Sequence, residues 1–182
     1  MIIEGGTGNG YKAKVTDENF LAVVAVIVPN ISHVSEEESL AFTLPFTQAT
    51  DAGADAGILY IKNTSTLNLI FSQLWLSTTA ADTIYTKTGV IGTPSGGTTP
   101  VPVNMNTGSA KVADGTFHQH TDIVGISGGS TTWRSYFTAN AISQRLYFED
   151  GFVLAPNGTW ALYTTTAQAA TVQGTLVFFY HI

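Results

Sequence analysis

His118, His120 and Asp122 stand at alternate positions, so in an extended segment all three side chains leave one face. Two ring nitrogens and a carboxylate form a donor set that zinc accepts. Spacing alone recommends the trio, and a histidine pair in a loop ordinarily binds water; the expectation is a chain with no metal and no cofactor. Asp51 and Asp55, and Asp114 beside Gly115, are too sparse for a calcium loop and read as solvated turn residues. The run Gly125-Ile126-Ser127-Gly128-Gly129 approaches the nucleophile elbow of a serine hydrolase, but its second glycine comes one place early. Glu149 and Asp150 are sequence neighbours, and neighbours on a strand point to opposite faces, so they do not flank a glycosidic bond. The glycines at 5, 6, 8 and 10 do not match the dinucleotide fingerprint, and no Lys-Ser or Lys-Thr pair completes a phosphate loop. No catalytic residue is assigned, and the chain is expected not to be an enzyme.

The tryptophans remain. Trp75, Trp133 and Trp160, with several tyrosines, could stack on sugar rings, although core and subunit packing accounts for most aromatics of this kind. Trp133 lies among Ser130, Thr131, Thr132 and Arg134 and is the one expected at the surface, as a glycan contact.

The elements that must position these residues are strands. Of 182 residues 44% are hydrophobic, which suits one globular domain, but only 11% are charged, where about 25% is usual. Few Glu, Lys and Arg residues mean few strong helix formers, whereas Thr, Val, Ile, Tyr and Phe favour pleated, half-buried surfaces. Cysteine is absent, which excludes disulfides and thiolate metal sites. A net charge of -6 with seven scattered basic residues leaves no footprint for a phosphate backbone, so direct nucleic-acid binding is not expected. The apolar run at residues 20–29 is too short to span a bilayer and lacks a basic flank; it is expected to be a buried strand, with neither secretion by that route nor membrane attachment.

Along the chain, Gly5, Gly6, Gly8, Asn9 and Gly10 form a flexible arm that leads through Tyr11 and Lys12 into a first strand ending at residue 15, and residues 16–182 form one domain. The acidic trio Glu36, Glu37 and Glu38 suits a helical turn capped by Ser35, and Pro45 marks the following strand as a sheet edge. Residues 58–62 and 67–76 flank Asn63-Thr64-Ser65-Thr66 and read as a hairpin. In the second of these strands Leu67, Leu69, Phe71 and Trp75 would share one face and Ile70, Leu74 and Leu76 the other, which implies a central strand or a subunit contact. Residues 83–88 read as a short strand and 89–102 as a long excursion of the kind that usually carries function. Short strands are expected near 121–126, 131–138 and 145–149. A turn at Ala155-Pro156-Asn157-Gly158 then leads to two final strands, the last with Val172, Leu176, Phe178 and Tyr180 on one face. About eight to ten short strands without an amphipathic helix predict an all-β sandwich or barrel.

Three pieces carry a resemblance. Residues 5–15 (GGTGNGYKAKV), 59–65 (LYIKNTS) and 152–160 (FVLAPNGTW) are similar to segments of small virion proteins of tailed bacteriophages, in which a glycine-rich start runs into a lysine-bearing strand, a central strand carries an LYIKN element, and a Pro-Asn-Gly turn precedes two aromatic strands. The resemblance implies a single jelly-roll β-sandwich of about eight antiparallel strands with an extended N-terminal arm. It also implies a virion location on the capsid exterior, after assembly in the host cytoplasm.

The leading expectation is a capsid decoration or cement protein that binds the major capsid protein as an oligomer, most simply a homotrimer, with the arm residues Gly5 to Lys12 as partner contacts. Low surface charge and apolar residues on both strand faces suit permanent assembly. The alternatives are a receptor- or carbohydrate-binding module of a head fibre, tail or spike, and a small jelly-roll major capsid protein.

Overall fold

The computed structural model describes residues 14–15, 21–22, 34–50, 55–139, 143–165 and 170–181. The arm residues Gly5 to Lys12, Asp51 and most of the apolar run at 20–29 lie outside them. Among the described residues there are twelve strands: β1 (Lys14–Val15), β2 (Leu21–Ala22), β3 (Ala41–Ala49), β4 (Ala56–Asn63), β5 (Asn68–Thr78), β6 (Asp82–Ser95), β7 (Val103–Asn104), β8 (Gly115–Gln119), β9 (Val124–Phe137), β10 (Gln144–Leu154), β11 (Thr159–Thr164) and β12 (Thr171–His181). The acidic trio falls in a single π-helical turn, Val34–Glu38.

Apart from the small β1-β2 ladder, the strands form two five-stranded antiparallel sheets, β10-β5-β12-β3-β7 and β8-β4-β11-β6-β9. The order follows one rule. β3 pairs with β12, β4 with β11, β5 with β10 and β6 with β9, so the first strand of the set lies beside the last and each later strand beside the next one inward. A long antiparallel ribbon rolled in this way gives two interlocked Greek keys, which is the jelly roll. The segment between β6 and β9 adds β7 to the outer edge of one sheet and β8 to the outer edge of the other.

The core lies between the sheets. Phe71 of the first sheet meets the edge of Trp160 of the second at 5.3 Å, and Phe117 of the second lies 5.8 Å from Phe178 of the first. Val172, Leu176, Phe178 and Tyr180 all face this core, as the alternation in β12 predicts.

Four expectations are corrected. Residues 58–62 and 67–76 do not form a hairpin, because β4 and β5 belong to different sheets. Asn63 makes the corner between them: its Nδ2 donates to the carbonyls of Leu67 (2.9 Å) and Leu154 (2.8 Å), and its Oδ1 accepts from Ser65 N (3.0 Å). Those bonds satisfy the corner without strand pairing.

The faces of β5 are also not those of strict alternation. Val177 stands opposite Gln73 while Phe178 stands opposite Phe71, so Ser72 is an extra residue. That bulge flips the parity, and Leu69, Phe71, Leu74 and Leu76 all reach the core while Trp75 turns outward.

The short strand at 83–88 runs on as the fourteen-residue β6, and those at 121–126 and 131–138 are largely one fourteen-residue strand, β9. Glycines allow this. Gly92 (φ 105°), opposite Ile126, and Gly125 (φ 84°) lie at an irregularity of the ribbon, where a Cβ on Gly92 would collide with the Gly125 carbonyl and one on Gly125 with the Thr93 carbonyl. Finally, 145–149 and 152–154 belong to one strand, β10, interrupted between Tyr147 and Phe152 opposite the Ser72 bulge.

Candidate interaction surface

The LYIKN and Pro-Asn-Gly pieces, nearly a hundred positions apart by number, meet in space. Lys62 pairs with Thr159 and Ile61 with Trp160, Asn63 N donates to Gly158 O (3.0 Å), and Asn157 N donates to Asn63 O (2.8 Å). Asn157 supplies the left-handed turn residue (φ 64°), a conformation asparagine tolerates. The two motifs are thus halves of one structural junction, and the chemistry they carry is backbone satisfaction.

The candidate metal trio does not converge: among the described residues no group of three or more His, Asp or Glu side chains is placed to hold a metal ion. His120 instead closes a local turn, its Nδ1 lying 2.6 Å from the Asp122 carbonyl oxygen and 3.2 Å from the Asp122 amide. Asp55 and Asp114 have structural partners: Asp55 Oδ1 accepts from the Tyr85 hydroxyl (2.9 Å), and Asp114 accepts from Thr64 Oγ1 and, through its carbonyl, from the Tyr180 hydroxyl. The Gly125 to Gly129 run lies within β9, with no strand-to-helix elbow. Trp133 is half-buried against the core, edge-on to Phe137 at 6.5 Å, and is not the surface tryptophan; Trp75, 42% exposed, is.

The outer face of the second sheet is covered by its own chain. Tyr85 and Tyr163 stack at 5.3 Å, Lys87 lies 4.6 Å from the Tyr163 centroid, and Arg134 lies 5.0 Å from that of Tyr85. Ile123 and Ile126 close over this cluster. Burial raises the Tyr85 and Tyr163 hydroxyls above the usual tyrosine range, and the Asp55 bond and charge push Tyr85 further up against the opposing pull of Arg134. Tyr85 therefore stays protonated and donates to Asp55 at neutral pH.

The excursion between β6 and β8 presents a different surface. Val101, Val103, Met105 and Val112 are 74%, 53%, 43% and 84% exposed. They stand on backbone that is firmly tied. Asn104 Nδ2 donates to the carbonyls of Ser39 and Lys111, Asn106 Nδ2 donates to Ser39 Oγ, and Lys111 Nζ donates to the Glu38 carbonyl at 2.6 Å. The excursion is thereby fixed to the end of the π-helical turn, and Ser39 holds a left-handed conformation (φ 55°) there. The excursion expected at 89–102 to carry function is thus joined by exposed apolar groups in 103–112, and the alternation Val101, Val103, Met105 within turn-rich sequence is the signal that marks them.

No protein-family model, no curated protein and no solved structure matches this chain.

Proposed function

We propose that the chain is a structural protein of a virus particle: a capsid decoration or cement protein that self-associates, as a trimer, and binds the major capsid protein. The observation that carries the reading is the excursion, where four large apolar side chains stand in solvent on a hydrogen-bonded frame. Apolar groups grouped on a rigid surface favour a protein partner, because burying them costs little ordering entropy. The low charge of the chain agrees with this, since permanent interfaces are depleted in charge. The jelly-roll order and the junction of the LYIKN and Pro-Asn-Gly pieces support the likeness to phage virion proteins, and fold alone does not carry function.

Sedimentation equilibrium and rebinding to particles stripped of this protein test the reading. A homo-oligomer that rebinds is expected, and Val101→Asp with Val112→Asp should weaken association by about tenfold or more while leaving the fold intact. A stable monomer that fails to rebind refutes it.

A further inference from the structure

Among the described residues, the outer face of the first sheet is covered at one end. There Val34 of the π-helical turn and Leu40, two residues beyond it, pack with Ala41, Ile70 and Phe179. Toward the other end, among the described residues, lies a hollow of about 620 Å³ lined by Trp75 with Pro45, Thr47, Ser77, Gln173 and Thr175 and reaching Pro100 of the excursion. None of the described residues lining the hollow is charged.

The Trp75 ring is held in place before any ligand arrives. Arg145 stacks on it with the guanidinium 4.5 Å from the centroid, and the same guanidinium lies 4.4 Å from the Tyr147 ring. Gln73 Oε1 accepts from both Trp75 Nε1 (3.3 Å) and Arg145 Nε (3.2 Å). Arg145 does not line the hollow, so the hollow meets the indole away from the cation. Gln119 also borders it; its Nε2 donates to Thr98 Oγ1, while its Oε1 is buried without a hydrogen-bond partner.

We propose that this hollow binds a neutral glycan, with a pyranose ring stacked on Trp75 and its hydroxyls bonded to the surrounding hydroxyl and amide side chains. Three features favour that ligand class over others. A fixed, part-exposed indole suits the apolar face of a sugar. Side chains that both donate and accept, here those of Thr47, Ser77, Gln173 and Thr175, suit hydroxyls. An uncharged lining neither attracts a phosphate or carboxylate nor repels a neutral ring. Arg145 and Gln73 are positioning residues in this scheme, since they hold the ring and do not touch the sugar. The inference goes beyond the structural role proposed above and does not depend on it: the hollow adjoins the excursion through Pro100, but none of Val101, Val103, Met105 and Val112 lines it.

The test is a printed array of neutral and acidic oligosaccharides, followed by calorimetric titration of the full chain with maltotriose, cellotriose and triacetylchitotriose or with the best array ligand. Binding of at least one neutral glycan is expected, weakened about tenfold or more by Trp75→Ala and severalfold by Arg145→Ala at unchanged melting temperature. Thr175→Val, which keeps the ring and removes a hydroxyl, should also weaken binding. Raising salt from about 0.1 to about 0.5 M should change the affinity less than about twofold, because a neutral ligand is not screened. No binding by any neutral glycan, binding indifferent to Trp75→Ala, or salt-sensitive binding of acidic glycans alone would overturn the proposal. So would a fall in oligomer mass on Trp75→Ala, which would make a second copy of this chain the occupant.

Discussion

Replacing Asn63 by alanine should cost more stability than replacing almost any exposed residue of this domain, although no apolar contact is at stake. The side chain is fully buried and makes three hydrogen bonds, two donated to the carbonyls of Leu67 and Leu154 and one accepted from Ser65 N. A net bond contributes about 1 kcal/mol, and a buried donor left without a partner adds its own desolvation penalty of about 1–3 kcal/mol. The Ser65 amide is such a donor, whereas each carbonyl keeps a second lone pair for other partners. Counting about 2 kcal/mol for the two bonds to carbonyls and about 1–3 kcal/mol for the stranded Ser65 amide, the expected loss is about 3–5 kcal/mol, or roughly 10 °C in melting temperature for a domain of this size. Denaturant unfolding at fixed protein concentration, followed by the fluorescence of buried Trp160, measures it.

Asn63→Asp sharpens the test. It keeps the acceptor for Ser65 but turns a carboxylate toward two carbonyl oxygens, so its folded-state pKa is raised above the unfolded value of about 3.9. The penalty is then absent below that value and grows as pH rises toward the folded pKa. The Asp variant should be at least as unstable as the Ala variant at neutral pH and should recover in acid. A loss below about 1 kcal/mol for Asn63→Ala, or no pH dependence for Asn63→Asp, refutes the assignment of Asn63 as the pin of this corner.

Two further outcomes are expected. Gly92→Ala should open the β6–β9 ribbon to proteolysis, because its Cβ would strike the Gly125 carbonyl, whereas Gly89→Ala, also at positive φ (69°) but with open space around it, should cost only about 1–2 kcal/mol; equal cleavage of the two variants would contradict the bulge geometry. Burial raises the hydroxyls of Tyr60, Tyr85, Tyr163 and Tyr180, so stability should hold below about pH 10 and fall as pH rises toward the higher folded-state values, with their phenolate absorbance appearing together with loss of the fold; ionisation of all tyrosines in the native protein would refute this.

The sandwich was legible because burial on one face writes a period of two into a strand, and β12 keeps that period from Leu176 to Tyr180. The corner at Asn63 was not, since a polar turn between two strands looks alike whether the chain reverses within a sheet or crosses to the other one. Only the partner on the far side, Leu154 O, distinguishes them, and it lies in another part of the sequence. The continuity of β6 and β9 was hidden for a related reason: glycine reads as punctuation, yet here glycine at positive φ is what lets a ladder bend without ending. Trp133 reads as a surface tryptophan because its sequence neighbours are polar, but adjacent residues on a strand occupy the opposite face, so their polarity describes the other side of the sheet.

The same logic locates the origin of the Trp75 hollow in one residue. Under strict alternation Trp75 would share the face of Leu69 and Phe71 and be buried with them, while Leu74 and Leu76 would turn outward. Ser72 reverses both outcomes at once: its insertion opposite the Val177–Phe178 step returns Leu74 and Leu76 to the core and sets Trp75 on the outer face beside Arg145. The bulge therefore has two consequences that cannot be separated by side-chain substitution. It completes the apolar layer that holds the two sheets together, and it places the only tryptophan with 42% exposure over a lining of threonine, serine and glutamine. A bulge required only by packing would leave an apolar or charged neighbour there as readily as an indole whose ring is clamped by a guanidinium and an amide. That clamp holds Trp75 ready for a ligand.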